Sequence, residues 1–271
     1  MITVLGASGF IGHRLNERLL ELDLERYAPA RDEGLSGKHL GDVIYCIGLT
    51  SDFRSRPFDT VEAHVCKLLE VLRDCDFDSL LYLSSTRLYG AGEDSTTEEN
   101  ALRVAPPNPG DLYNISKAMG ESIALNCGRR TRVARISNVY GGDFTSDNFL
   151  STIIKEAIGK RMIVLQTSAA SAKDYVSVDD VVNGLIQITT TGSERIYNLA
   201  SGVNVSNGEL VENLRSLTGC AIEFSPTAPT ISFPPINIER MQNEFNYQPS
   251  RVLADMAHLV ELYKDNERIS A

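Results

Sequence analysis

The chain opens on Ile2-Thr3-Val4-Leu5-Gly6-Ala7-Ser8-Gly9-Phe10-Ile11-Gly12, in which a short apolar run meets three glycines spaced G-x-x-G-x-x-G. The apolar run predicts a β-strand, and apolar residues at helical spacing follow the glycines. In such a strand–turn–helix unit the glycines permit a tight turn, backbone contact with a pyrophosphate, and close packing of helix on sheet. The helix N-terminus adds free N–H groups and partial positive charge. The predicted dinucleotide-binding residues are Gly6, Ser8, Gly9, Phe10, Ile11 and Gly12.

The residues that follow a predicted second strand, Tyr27 to Ala30, bear on which dinucleotide binds. Arg31 can pair with a 2′-phosphate, which favours NADP(H). Asp32 can instead accept hydrogen bonds from the ribose hydroxyls of NAD(H). We expect NADP(H) and keep NAD(H) as the alternative; a solvated turn that contacts neither cofactor is the third possibility.

Strand and helix patterns alternate through the first half of the chain. Apolar runs at 43–47, 80–83 and 132–136 predict buried strands, and 61–72 and 113–126 have helical spacing. This alternation predicts an α/β protein with a Rossmann-type, doubly wound parallel sheet. After residue 140 the periodicity weakens, and 222–237 contains four prolines. We expect a dinucleotide-binding domain at 1–140 plus about 174–200, and a smaller C-terminal substrate lobe at about 141–173 plus 201–271.

Charge and composition exclude several classes of partner. The 271 residues carry a formal net charge of −10, which disfavours nucleic acid and anionic membranes, so an anionic substrate needs a local basic pocket. No apolar run approaches the roughly 20 residues of a transmembrane helix. The five cysteines are scattered without zinc-ligand spacing, so we expect no metal site. A strand pattern that begins at Ile2 leaves no room for a targeting peptide, and we expect a cytoplasmic protein.

Tyr113-Asn114-Ile115-Ser116-Lys117 places a tyrosine and a lysine four residues apart on a predicted helix. Residues at this spacing share one helix face and can point together into a cleft. A free phenol, with a pKa near ~10, is a poor base at neutral pH, and a nearby ammonium lowers that pKa. We therefore expect Tyr113 to be an acid/base whose pKa is tuned by Lys117.

Seven blocks in order resemble the extended branch of the short-chain dehydrogenase/reductase superfamily, the NAD-dependent epimerase/dehydratase family that modifies nucleotide-linked sugars. The blocks are the glycine loop, 83–90 ("SSSAVYG"), 113–121 ("YGxSKxxxE"), 135–141 ("RxxNVYG"), 174–181 ("RDFVYVDDV"), 197–202 and 246–249. Together they span most of the chain.

The resemblance implies roles for individual residues. Thr86 takes the position of the hydroxyl that bonds the reacting sugar oxygen, Tyr113 is the acid/base, and Lys117 holds the nicotinamide ribose. Asn138 and Lys173 take positions that contact the substrate diphosphate, although lysine at 173 lacks the bidentate fork of the family's arginine.

The chain departs from the family pattern in four places. His64 stands where the family's helix has asparagine, and we interpret it as structural. Residues 31–42 are too few for the usual helix, third strand and acidic adenine contact. Arg87 and Leu88 follow Thr86, where 4,6-dehydratases carry an Asp-Glu pair, so we exclude that elimination. The segment 222–237 offers no basic residue for a diphosphate.

These features favour reduction of a nucleotide-linked 4-keto (6-deoxy) sugar by NADPH, with Tyr113 as the proton donor. The alternatives are a 4-epimerase that retains NAD, and a non-catalytic nucleotide-sensing protein on the same fold. By analogy with the family, a homodimer through helices at 58–73 and 113–126 is also expected.

Overall fold

The central layer of the computed structural model, which describes residues 1–50, 52–90, 95–144 and 148–270, is a six-stranded parallel sheet. Its strand order is β2-β1-β3-β4-β5-β9. The strands are β1 (Ile2–Leu5), β2 (Arg26–Tyr27), β3 (Asp42–Tyr45), β4 (Ser79–Ser85), β5 (Thr131–Ile136), β6 (Asn138–Tyr140), β7 (Met162–Leu165), β8 (Ala172–Ser177), β9 (Ile196–Leu199), β10 (Asn204–Ser206) and β11 (Ala221–Phe224).

Helices cover both faces of this sheet. They are α1 (Phe10–Glu21), α2 (Pro57–Val61), α3 (Lys67–Asp74), α4 (Asp111–Asn126), α5 (Phe149–Lys155), α6 (Val178–Thr191), α7 (Asn207–Thr218), α8 (Glu239–Phe245) and α9 (Val252–Ser270). A π-helical turn, Glu62–Cys66, joins α2 to α3, and a 3₁₀ turn, Thr86–Tyr89, follows β4. Within the described ranges, no helix is both long and apolar enough to cross a membrane.

Alternate side chains of each central strand enter two different cores. Val4 packs with residues of α1 and α6 on one face, whereas Leu5 packs with residues of α3 and α4 on the other. Both side chains are almost fully buried. Because the strands are covered on both sides, their sequences are apolar runs rather than apolar–polar alternations. The predicted doubly wound Rossmann-type sheet is confirmed.

The edge of the sheet beside β2 is shorter than in the expected pattern. The strand that we predicted at Tyr27 to Ala30 is wrong in extent, since β2 ends at Tyr27. The structure contains no further strand before β3, which confirms that 31–42 cannot hold the usual helix and strand. Instead the loop closes on itself: Tyr27 Oη donates to Glu33 (2.5 Å), and Lys38 Nζ donates to Tyr27 Oη (3.0 Å).

The second half of the chain builds two small sheets, β10-β8-β6 and β11-β7. A separate hydrophobic core joins α5, α7, α9 and these strands, with Ile163, Leu210 and Met256 completely buried within it. In contrast, β9 and α6 pack with the Rossmann sheet. On this packing we propose the two-part division at 1–140 plus about 174–200, and about 141–173 plus 201–271.

Candidate active site

The glycine loop forms a cradle at the carboxyl end of β1. Gly6 has φ +87°, and a Cβ there would lie 2.9 Å from the Ile47 backbone nitrogen. A Cβ on Gly12 would overlap the Gly6 carbonyl oxygen, so the close approach of α1 to the loop requires glycine. A Cβ on Gly9 would make only an ordinary 3.5 Å contact, and Ser8 and Gly9 are exposed. The exposed helix N-terminus therefore fits the pyrophosphate of a dinucleotide.

The other predicted cofactor contacts lie around this cradle. Phe10 and Ile11 are half-buried in the first turn of α1. Arg31 and Asp32 lie in an exposed turn after β2. Since β1 and β2 are parallel, this turn is at the same edge of the sheet as the glycine loop. The exposed turn suits either a 2′-phosphate or a ribose contact and does not by itself distinguish NADP from NAD.

The Tyr113 and Lys117 side chains are both buried on α4 and converge on His64. The phenol ring of Tyr113 packs edge-on against the His64 ring at 5.3 Å between centroids. Lys117 Nζ donates to the Leu83 carbonyl oxygen at 2.8 Å, at the end of β4. A Cβ at Gly48 would contact both Lys117 Nζ and His64 Nε2 at 3.5 Å. The two side chains therefore lie close to the same imidazole ring, near the carboxyl end of β4.

His64 supports this region as a neutral imidazole. Its Nε2 accepts from the Leu49 backbone N–H at 3.1 Å, which leaves the proton on Nδ1. Nδ1 then donates to Ser116 Oγ at 2.8 Å, and Ser116 Oγ donates to the Tyr113 carbonyl oxygen at 2.9 Å. Burial and the Lys117 charge lower the pKa of His64 to about 2. The chain of hydrogen bonds positions α4, in agreement with the structural role expected for this histidine.

The Ser85 hydroxyl, one residue before the predicted Thr86, interacts with the Tyr113 phenol. A hydrogen bond with the Ser85 hydroxyl lowers the pKa of the Tyr113 phenol. Thr86 begins the 3₁₀ turn and is buried. Three hydroxyl residues stand in a row at 84–86, and the one that affects the pKa of the phenol is Ser85, the last residue of β4. The sequence gives no local signal for where β4 ends.

The electrostatics of Tyr113 also differ from the expectation. Burial raises the pKa of the phenol, and the groups that lower it are Ser85 and the Arg87 guanidinium. Lys117, expected to be the acidifying cation, is not among them, since its ammonium is directed to the Leu83 carbonyl oxygen instead. Burial lowers the pKa of Lys117 to about 7, against smaller opposing effects of Cys46 and Glu121.

Two cationic side chains lie on this side of the molecule despite the acidic chain, and one of them contacts the phenol ring. The Arg87 guanidinium carbon lies 5.7 Å from the centre of the Tyr113 ring. Lys173, half-buried over the Phe149 ring at 5.4 Å, has its pKa lowered by burial and by the Arg87 charge. Asn138 is exposed on the neighbouring strand β6, and its Nδ2 donates to the Asp174 carbonyl oxygen at 2.8 Å. The two predicted diphosphate contacts thus lie on adjacent strands.

Comparison with known proteins identifies the family. Residues 2–200 match the model of the NAD dependent epimerase/dehydratase family. The chain belongs to this family. The resemblance to extended short-chain dehydrogenase/reductases, inferred from the seven sequence blocks, is confirmed.

Proteins similar to this chain differ from one another in their activities. A dTDP-glucose 4,6-dehydratase of Streptomyces griseus is 29% identical over 187 residues, covering 65% of this chain and 56% of that protein. A dTDP-4-dehydro-6-deoxy-D-allose reductase of a Streptomyces species is 23% identical, covering 78% of this chain and 69% of that protein. The solved structure of MoeE5 in complex with UDP-glucuronic acid and NAD has a TM-score of 0.82 at 20% identity, covering 98% and 99% of the two chains. The first of these alignments therefore spans just over half of its relative.

Two features complete the site of this family member. A buried ion pair connects α4 to β5: Arg135 Nη2 lies 2.8 Å from Glu121 Oε2. When the positions of the dehydratase Asp-Glu pair are counted from Ser85, they are occupied by Thr86 and Arg87. Neither is a carboxylate, so the elimination carried out by an Asp-Glu pair has no acid or base at these positions.

Proposed function

We propose that this protein is an NAD(P)-dependent oxidoreductase that reduces a 4-keto sugar linked to a nucleotide, with Tyr113 as the proton donor. The observation that carries the proposal is the buried Tyr113 phenol, opposite the Ser85 hydroxyl and beside Lys117, at the same sheet edge as the glycine loop. The dTDP-sugar activities of two relatives support nucleotide-linked sugars as the substrate class.

In this mechanism two hydroxyls hold the sugar oxygen. Ser85 and Tyr113 donate hydrogen bonds to the carbonyl oxygen and stabilise the charge that develops on it. Because burial raises the pKa of Tyr113, the phenol is protonated at neutral pH and suits the role of acid. A nicotinamide dinucleotide supplies the hydride when bound. The proton passes from the Tyr113 Oη to the new alkoxide, which leaves the sugar as the alcohol.

Lys117 and the glycine loop would hold the dinucleotide. We propose NADP(H) as the preferred form because Arg31 is exposed at the same edge of the sheet as the glycine loop, where it could pair with a 2′-phosphate. The Arg31→Ala variant should lose affinity for NADPH about 10-fold or more, and change its affinity for NADH little. If NADH binds more tightly than NADPH to the unaltered protein, Asp32 rather than Arg31 sets the cofactor, and the preference is refuted.

A 4-epimerase is the second candidate. The same Ser85 and Tyr113 pair could exchange the proton of the sugar hydroxyl, while a bound dinucleotide would supply the chemistry of taking hydride from the sugar carbon and returning it to the opposite face. MoeE5, of similar fold, has been solved with NAD and a nucleotide sugar. Dinucleotide that stays bound through purification, identified by mass spectrometry of released small molecules, would favour the epimerase. Dissociable NADPH would favour the reductase.

The experiment that tests the acid role is the Tyr113→Phe variant. Turnover should fall by about 10²- to 10⁴-fold, while dinucleotide affinity stays within a factor of about three. Tyr263→Phe, which removes another buried hydroxyl in the second lobe, is the control and should retain activity. Full activity of Tyr113→Phe would refute the mechanism, and absence of turnover in the unaltered protein would favour a non-catalytic nucleotide sensor.

We also propose a homodimer through α2, α3 and α4. These neighbouring helices expose three large apolar side chains, including Phe58 with 87% of its surface accessible, and Leu69 and Met119. Burying Phe58 in a partner is favourable by about 1.5–3 kcal/mol, and burying the half-exposed Leu69 and Met119 by roughly half as much each. Phe58→Ser should therefore raise the dissociation constant of the dimer in sedimentation experiments, and a monomeric unaltered protein would refute the proposal.

A further inference from the structure

We infer that Arg87, assisted by Arg54, binds a carboxylate on the sugar itself, so that the substrate is a nucleotide-linked uronate rather than a 6-deoxy sugar. The inference rests on the proposed function, because it takes Tyr113 as the group that acts on the reacting sugar carbon. It names the class of sugar, which the family resemblance leaves open.

Two arginines rest on one aromatic ring beside the phenol. The guanidinium carbons of Arg54 and Arg87 lie 4.5 Å and 5.2 Å from the centre of the Phe53 ring. Phe53 in turn packs against Tyr113 at 5.4 Å. A Cβ at Gly110 would have Arg87 Nη2 at 3.5 Å and Arg54 Nη2 at 3.7 Å, which places both cations around one small space.

Neither arginine is neutralised by the part of the chain that the structure describes. No carboxylate of a described residue lies within 4.0 Å of either guanidinium. Arg87 Nη2 donates one hydrogen bond to the Gly110 carbonyl oxygen at 3.3 Å. Asp111 is the acid whose charge reaches Arg87. Its carboxylate already accepts from the Ala105 backbone N–H at 2.7 Å and from neighbouring amide side chains.

Two close like charges that find no counter-ion among the described residues are unfavourable unless an anion joins them. Arg87 is half-buried, and burial together with the Arg54 charge lowers its pKa. A carboxylate between the guanidinium forks would relieve that repulsion and accept bidentate hydrogen bonds. Phe53 reduces water access on one side, which strengthens such a pair.

The position of Arg87 separates a sugar carboxylate from the diphosphate. Arg87 stands over the Tyr113 ring, and Tyr113 acts at the reacting carbon, so an anion at Arg87 belongs to a substituent next to that carbon. The diphosphate is attached at the other end of the sugar ring. Lys173, on β8, remains for the diphosphate, as the family resemblance implies.

The test compares two probes that differ only in the sugar substituent, UDP-glucose and UDP-glucuronic acid, together with their dTDP and GDP counterparts. Calorimetry with the dinucleotide-loaded protein should show tighter binding of the glucuronic acid form by about 10- to 100-fold. Arg87→Gln should abolish this ratio, and Arg54→Gln, at an exposed position, should reduce it by about 2- to 5-fold. Arg215→Gln, on an exposed helix surface, is the control and should retain the full ratio.

Each outcome decides between the proposals. Equal affinity of the unaltered protein for both members of every pair refutes the carboxylate and leaves the proposed reaction standing. A ratio that persists in both Arg87→Gln and Arg54→Gln refutes the assignment of these arginines. If none of the six nucleotide sugars binds, the proposed function fails together with the inference.

Discussion

Replacing Lys117 with methionine should stabilise the protein without its cofactor while abolishing turnover. The Lys117 ammonium is buried, and its pKa is about 7 in place of the ordinary 10.5. A lysine whose folded-state pKa is lowered binds fewer protons when folded than when unfolded, so it costs stability at every pH below about 10. Methionine keeps the apolar stem and volume but carries no charge to bury.

The magnitude follows from the two pKa values. At pH 7 the unfolded lysine is fully protonated and the folded one half protonated, which corresponds to a cost of roughly 4 kcal/mol at 1.36 kcal/mol per pKa unit. Losing the hydrogen bond to the Leu83 carbonyl oxygen lowers the stability gained by about 1 kcal/mol. The net gain for Lys117→Met is then about 3 kcal/mol at pH 7, equivalent to roughly 6–12 °C in Tm.

The pH dependence distinguishes this account from a general packing effect. As pH rises from 7 towards 10.5, the unfolded lysine also loses its proton, and the cost of burying Lys117 disappears. The gain of Lys117→Met should therefore fall to about 1 kcal/mol at pH 9. Urea unfolding of the cofactor-free protein at both pH values measures this difference in the free energy of unfolding. Lys160→Met, at an exposed position, is the control. Destabilisation by Lys117→Met, or a gain that is the same at pH 7 and pH 9, would refute the reasoning.

The remaining predictions concern the cradle, the hydroxyls and the buried ion pair. Gly12→Ala should lower both dinucleotide affinity and stability, the latter by about 1–3 kcal/mol, because its Cβ meets the carbonyl of the glycine loop. Gly9→Ala should weaken dinucleotide binding, measured by fluorescence titration, with stability almost unchanged, since its Cβ has space within the protein. Ser85→Ala should reduce kcat by about 10²-fold and Thr86→Val by much less; the reverse order would support the sequence-based assignment. Glu121→Gln should cost about 3–5 kcal/mol in urea unfolding because it leaves a buried arginine unpaired, and a loss below about 1 kcal/mol would contradict a structural role for the pair.

The glycine cradle was predictable because its requirements are local. Gly6 needs a positive φ and Gly12 needs space next to a carbonyl only six residues away in sequence. Such constraints are visible in spacing alone. The Tyr113 and Lys117 pair was equally predictable, since four residues on a helix define a shared face without reference to the rest of the fold.

The hydroxyl partner and the cations around the phenol were not predictable in the same way. Which of three consecutive hydroxyl residues faces Tyr113 depends on the residue at which β4 turns into a 3₁₀ helix. Arg54 and Arg87 meet on Phe53 only because the loop before α2 and the turn after β4 come together at the sheet edge. Their spacing of more than thirty residues leaves no pattern in the sequence.

Taken together, the two pKa shifts support the proposed role of Tyr113 as a proton donor. Burial raises the pKa of Tyr113 and lowers that of Lys117, so both groups are displaced towards their neutral forms. A neutral phenol is a proton donor, which reduction of a carbonyl requires, whereas oxidation of an alcohol requires the phenolate. Arg87 favours the phenolate, but its charge is available to Tyr113 only while no anion is paired with it. A carboxylate bound at Arg87 would therefore raise the pKa of Tyr113 further, so the inferred substrate class and the proposed proton-donor role of Tyr113 are consistent with each other.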